Sequence, residues 1–397
     1  MSVYSALLAR RGARALALAC ALGWMTFASV GLAIVLLVTH RTGSFGAAGA
    51  AVAAYSLGAG LLAPLRGRLV DARGAPVLVA FGFANAIGLL LLLEAPRGVA
   101  TVLAAGFAGA VAPPLIATAR SVWPVVAGTE LTRAAHALNA LLGDVASVLG
   151  PAATGALAAW LEPPVALAVL AFGPFAGTVI VARLGVPRTE VGGEAGPGEA
   201  LGTPPHEVAA GHGALGVLRT SAGLRTLMLV DVWLGVAIGA VDVAAPALAS
   251  EEGAPELAAI PLAAFAAGSV VASLWAGQAG SSPQGRFVAG CALLTVALAG
   301  CAFVSSVFAL AVVLVFAGAA YGVLNVALFE LLDVVVPPRN AVEALTWLTT
   351  AGGFGIAIGA AIGGQLAADS PESALLLTAL ATLPGALLAI VRRRSLA

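Results

Sequence analysis

Apolar residues fall in long unbroken runs separated by short polar segments, a pattern that repeats from Arg14 to Val391. None of the runs alternates polar and apolar residues as a barrel strand would. Crossing ~30 Å of hydrocarbon at ~1.5 Å per residue takes about 20 apolar residues, and with no water to satisfy the backbone such runs become helices. Twelve passes are predicted. Six lie near Arg14–Val38, Gly46–Leu65, Pro76–Leu93, Val99–Val122, His136–Trp160 and Pro164–Leu184. Six more lie near Leu224–Ala249, Leu257–Ala276, Phe287–Val304, Val307–Leu331, Ala344–Leu366 and Ser373–Val391. Between the two sets the chain turns to Gly, Pro, Glu and Thr, a composition that cannot build a core and reads as a flexible linker. The expected organisation is a bundle over residues 1–184, a linker over 185–222 and a second bundle over 223–397.

Composition agrees with this reading. Hydrophobic residues make up 60% of the 397, charged residues 10%, and mean hydropathy is +1.03, values far from those of a soluble domain. The three cysteines, Cys20, Cys291 and Cys301, all fall inside predicted passes, with no metal-ligand spacing and no disulfide framework. They read as small buried apolar residues.

Charge supplies the direction of each pass. All nineteen basic residues are arginines. They precede the first pass (Arg10, Arg11, Arg14), follow the second (Arg66, Arg68, Arg73), occupy later even-numbered gaps and end the chain (Arg392, Arg393, Arg394). Only Arg41 and Arg97 fall in the odd-numbered gaps, which carry acids instead: Glu94, Glu162, Glu251, Glu252, Glu256, Asp369 and Glu372. The positive-inside bias then puts both termini and the linker in the cytoplasm of a multi-pass cell-membrane protein. The absence of lysine beside abundant Ala, Gly and Arg suggests a GC-rich bacterial genome, hence a bacterial inner membrane.

The halves echo one another. Gly155-Ala156-Leu157-Ala158-Ala159 precedes Pro163 in pass five as Gly363-Gly364-Gln365-Leu366-Ala367 precedes Pro371 in pass eleven. Gly355, Gly359 and Gly363 in pass eleven, and Ala146, Gly150, Thr154 and Ala158 in pass five, form ridges of small residues four apart. Such ridges suit either tight static packing or sliding between halves.

With two sets of six passes, cytoplasmic termini and a long central linker, the chain resembles the major facilitator superfamily over nearly its whole length. The segment after pass two, Gly67-Arg68-Leu69-Val70-Asp71-Ala72-Arg73-Gly74-Ala75-Pro76, looks like that family's signature. Gly67, Leu69, Asp71 and Gly74 agree with it, whereas Ala72 stands in place of an arginine and Ala75 and Pro76 in place of a basic pair. Gly67 and Gly74 suit a tight turn and Asp71 suits capping of a helix start. The resemblance implies that Gly67, Asp71, Arg73 and Gly74 form a gating loop that meets the other half near its eleventh helix. Its counterpart, Gly277 to Arg286, has no acid, so the implied latch is one-sided. Gly150-Pro151-Ala152-Ala153-Thr154-Gly155 is similar to a shortened glycine-proline motif of the family's drug/proton antiporters.

Acids inside the bilayer are the main chemical clue. Charge at a helix centre costs ~2.5–3.5 kcal/mol on insertion scales, so an acid there is paired, protonated or facing a wet cavity. Asp144 in pass five and Asp231 and Asp242 in pass seven are therefore the candidates for proton coupling. Glu330, Asp333, Arg339 and Glu343 gather at the ends of passes ten and eleven as a solvated ion-pair network. Trp24, Tyr55, Tyr321, Asn325, Trp347 and Phe354 lie at depths suited to a central substrate cavity. No basic residue stands in the middle of a predicted pass, which argues against a phosphate or dicarboxylate cargo.

The expected protein is an all-α membrane protein of twelve transmembrane helices in two pseudo-symmetric six-helix bundles. Its expected function is proton-coupled export of a small amphipathic molecule by alternating access. The alternatives are a non-transporting receptor or assembly partner on the same fold, and uptake of a small neutral solute. No nucleophile, metal cluster or phosphate-binding loop recurs at working spacing, so no enzyme, cofactor or metal is expected. The expected partners are the substrate, protons and the bilayer, with no nucleic acid, and the protein is expected to be a monomer.

Overall fold

The computed structural model describes residues 3–128, 130–185, 221–276, 282–337 and 341–396. The predicted linker, apart from its two ends, and Arg339 lie outside these residues.

Among the described residues, twelve helical spans follow a short helix at Val3–Ala9. In the first half they are α1 (Ala13–Thr42), α2 (Phe45–Leu61 with a second arm, Ala63–Arg73), α3 (Ala75–Glu94), α4 (Val99–Ala127), α5 (Thr132–Leu161) and α6 (Pro163–Leu184). In the second they are α7 (Ala222–Glu251), α8 (Pro255–Ala276), α9 (Pro283–Phe303), α10 (Val307–Val335), α11 (Ala341–Asp369) and α12 (Pro371–Val391). Eleven of these are long and apolar enough to cross a membrane, and α2, whose arms meet at 46°, makes the twelfth. The protein is thus a multi-pass membrane protein, and large apolar side chains such as Trp160 and Phe303 lie exposed on its outside.

Short-range chemistry sets the ends of these helices. The hydroxyls of Ser44, Ser221, Ser306 and Ser370 accept hydrogen bonds from the backbone N–H groups of Ala47, Leu224, Ala309 and Ser373 and cap α2, α7, α10 and α12. Gly43 closes α1 at φ 67°, and Gly74 turns the chain from α2 into α3 at φ 73°, where a side chain would be strained.

Packing shows the pseudo-symmetry. In the first half α1 packs on α5 and α6, α2 on α4, and α3 on α6; in the second α7 packs on α11 and α12, α8 on α10, and α9 on α12. Two pairs related by the same symmetry, α2 with α11 and α5 with α8, join the halves.

Both small-residue ridges pack inside their own halves, and glycines beside those ridges meet the other half. On α11, Gly355 and Gly359 press on α7: a Cβ on either would lie 2.1 Å from the carbonyl oxygen of Val232 or Val236. They hold the second bundle together. Gly364, on another side of α11, faces α2, where a Cβ on Gly49 would lie 2.9 Å from the Gly364 Cα. On α5, Gly150 packs on Ser29 of α1 in its own half, while Gly155 meets Ala259 of α8 in the other.

Candidate functional site

Contacts between the halves converge on the face opposite the chain termini. There the amide of Gln365 lies 3.0 Å from the Cβ position of Gly46, and Ala259 lies 2.5 Å from that of Gly155. Toward the termini the approach of α11 to α2 loosens, with the Gly60 Cα 4.0 Å from the Cβ position of Gly353. The second arm of α2 bends off and packs on α3.

Within the second half, Asp231, Tyr321 and Asn325 come together. Asn325 Nδ2 donates to Tyr321 Oη at 3.0 Å, and the Tyr321 ring meets Phe265 of α8 at 5.4 Å between centroids. Asp231, half-buried, lies against α11, its Oδ2 2.6 Å from the Cβ position of Gly352. Asp242 borders a cavity of about 50 Å³ inside the bundle, together with Leu234, Phe265, Leu294, Leu298 and Tyr321. It also lies at the seam between the halves, with Oδ2 3.6 Å from the Cβ position of Gly31 on α1. Trp347 is half-buried and Phe354 exposed on α11.

In the first half, the Trp24 ring packs over Gly143, beside Asp144 on α5, and meets Phe27 edge-on at 5.8 Å. The Trp24 indole N–H is buried with no partner among the described residues. Tyr55 lies where α2 crosses Gly109 of α4 so closely that a Cβ on that glycine would lie 2.0 Å from the Tyr55 carbonyl oxygen.

The expected gating loop is not a loop. Gly67, Asp71 and Arg73 belong to the helical second arm of α2, and a Cβ on Gly67 would meet nothing within 4 Å, so only Gly74 acts as a turn glycine. The helix persists because Pro64 occupies its first turn, where no intrahelical N–H bond is required, and no further proline follows before Gly74. Asp71 and Arg73 are exposed on that arm.

Sequence reasoning missed Arg66, which is 6% exposed. Its Nη1 donates to the carbonyls of Gly109 and Ala110 at 2.9 Å and to Gly58 at 3.3 Å, and its Nη2 donates to Ala59 at 2.6 Å. These carbonyls end two interrupted helices, the first arm of α2 and Val99–Ala110 of α4. The signal was Pro113-Pro114, whose missing N–H groups leave the carbonyls of Gly109 and Ala110, four residues earlier, for a neighbouring cation to satisfy. The second half has a counterpart: Arg286 donates to the carbonyl of Ala276 at the end of α8 and pairs with Glu330 of α10. The pair α2–α4 and its symmetry mate α8–α10 are thus each tied by one arginine. Of the expected cluster, Glu330 is thus paired with Arg286 of α9. Arg41, one of the two exceptions to the charge pattern, donates to the carbonyls of Leu92 and Ala95 at 2.8 Å and caps the end of α3.

Comparisons with known proteins fit this architecture. Residues 227–396 match the profile of the Major Facilitator Superfamily. No curated protein sequence matches the chain. Among solved structures, a point mutant of the nucleoside transporter NupG superposes with a TM-score of 0.76 at 13% identity, over 95% of this chain and 98% of that one. A bacterial homolog of the human lysosomal transporter Spinster, inward-facing and occupied, superposes with a TM-score of 0.72 at 12% identity, over 99% and 97%. A bacterial homologue of the iron transporter ferroportin, inward-facing, gives 0.68 at 14% identity over 98% of each chain. At such identities the likeness is one of fold, and the fold is that of major facilitator transporters.

Proposed function

We propose that the protein is a secondary active transporter that exports a small amphipathic molecule in exchange for protons, by rocking its two bundles about a central site. The observation that carries this reading is the convergence of the halves on one face, through the symmetry-related pairs α2–α11 and α5–α8. Two bundles joined in this way can swap the closed face for the other by rigid rotation. With the arginine-bearing face in the cytoplasm, the conformation described is closed to the outside.

Asp144, Asp231 and Asp242 are the proposed proton carriers. None makes a side-chain ion pair with another described residue, so each is available to a proton or a cation. Each proton entering down ~100 mV supplies about 2.3 kcal/mol, enough for a modest outward gradient. The second arm of α2, with Asp71 and Arg73, would close the cytoplasmic face in the opposite conformation. Trp24, Tyr55, Tyr321, Asn325, Trp347 and Phe354 are proposed to face the cargo at stages of the cycle.

Liposomes carrying a pH gradient test the reading. The reconstituted protein is expected to dissipate the gradient when given its substrate, and Asp144→Asn, Asp231→Asn or Asp242→Asn to reduce the rate at least tenfold. Full coupling in all three variants would remove the acids from the mechanism.

A further inference from the structure

We infer that the cavity inside the second bundle seats the charged head of a lipophilic organic amine, bound as its ammonium ion by Asp242. The inference rests on the transporter reading and gives it a substrate class.

Among the described residues, Asp242 is the only acid on the cavity wall; the rest is apolar except for the Tyr321 hydroxyl. A half-buried carboxylate among leucines has shed part of its water and calls for a proton or a positive partner. A hard metal ion would need about six oxygen ligands, and the wall offers one carboxylate and one phenol oxygen, which already accepts from Asn325. An ammonium head needs far less: one carboxylate and the faces of aromatic rings. The tilted pair of Phe265 and Tyr321, 5.4 Å apart, supplies two rings on the same wall. A volume of about 50 Å³ suits a small head and leaves an apolar tail to lie outside it. The distance of 3.6 Å from Asp242 to the Cβ position of Gly31 puts this seat where the halves touch, so occupancy would be felt by both.

Equilibrium dialysis of radiolabelled 2-phenylethylamine against the purified full-length protein in detergent tests the assignment. Saturable binding is expected, with 2-phenylethanol failing to compete at a hundredfold excess. Asp242→Asn and the cavity-filling Leu298→Phe should each weaken binding at least tenfold, while Glu372→Gln, on the first turn of α12, should not change it. Retained elution volume and melting temperature would show that the variants fold. Absence of saturable amine binding, equal competition by the alcohol, or undiminished binding by both cavity variants would overturn the assignment. Counterflow of the same amine in liposomes separates this idea from the one beneath it. Binding without flux would sink the transporter reading and leave the amine seat standing, and flux of other solutes without amine binding would do the reverse.

Discussion

At the residue scale, Arg66 shows how one side chain can hold two broken helices. Four carbonyls at the ends of the first arm of α2 and the first part of α4 point at its guanidinium. A buried carbonyl left without a donor costs about 1–3 kcal/mol, so Arg66→Leu is expected to destabilise the protein by at least about 3 kcal/mol, read as a lower melting temperature in detergent. Arg66→Lys should recover little, because a single ammonium cannot span carbonyls from both helices as a planar fork does. Full recovery with lysine would mean that only the charge matters. The acids were legible in the sequence because charge inside an apolar run is conspicuous. Arg66 was not, because the helix of α2 continues past the point where hydropathy falls, and a residue that looked like part of a loop is buried instead.

At the level of elements, glycine placement separates what holds a bundle together from what closes the two bundles on each other. A Cβ on Gly359 would lie 2.1 Å from a carbonyl of α7, and one on Gly49 would lie 2.2 Å from a carbonyl of α11 in the other half. Overpacking of this kind typically costs about 1–3 kcal/mol. Gly359→Ala is expected to lower the melting temperature of the protein, since the clash falls inside one bundle. Gly49→Ala should leave melting nearly unchanged while opening the outer seam, detected as faster labelling of Gln365→Cys by a membrane-impermeant thiol reagent. The reverse pattern would mean that the two glycines have been assigned to the wrong interfaces. Spacing alone revealed the ridges but not their partners, because residues four apart share one helix face while α11 has neighbours on several sides. Span number and the division into halves were readable, since a membrane demands long apolar runs. The breaks in α2 and α4 were hidden inside those runs, marked only by Pro64 and Pro113-Pro114.

For the whole molecule, the rocking mechanism makes a mechanical prediction. Cysteines at Gly46 and Gln365, joined by a disulfide, should hold the acidic face closed, abolish transport and restore it on reduction. The native Cys20, Cys291 and Cys301 are buried and should not interfere. Transport that persists with the bond formed would exclude opening at that seam.

The closed seam also has a consequence for salt. Its close contacts include Gly49 on Ala360 and Gly364, Gly46 on the Gln365 amide, and Gly155 on Ala259, all uncharged. At 0.15 M salt the Debye length is about 8 Å, so ionic strength acts on exposed charges and leaves uncharged contacts untouched. The outer seam should therefore stay equally closed from dilute buffer to half-molar salt, with any salt dependence of the cycle arising at the arginine-rich face.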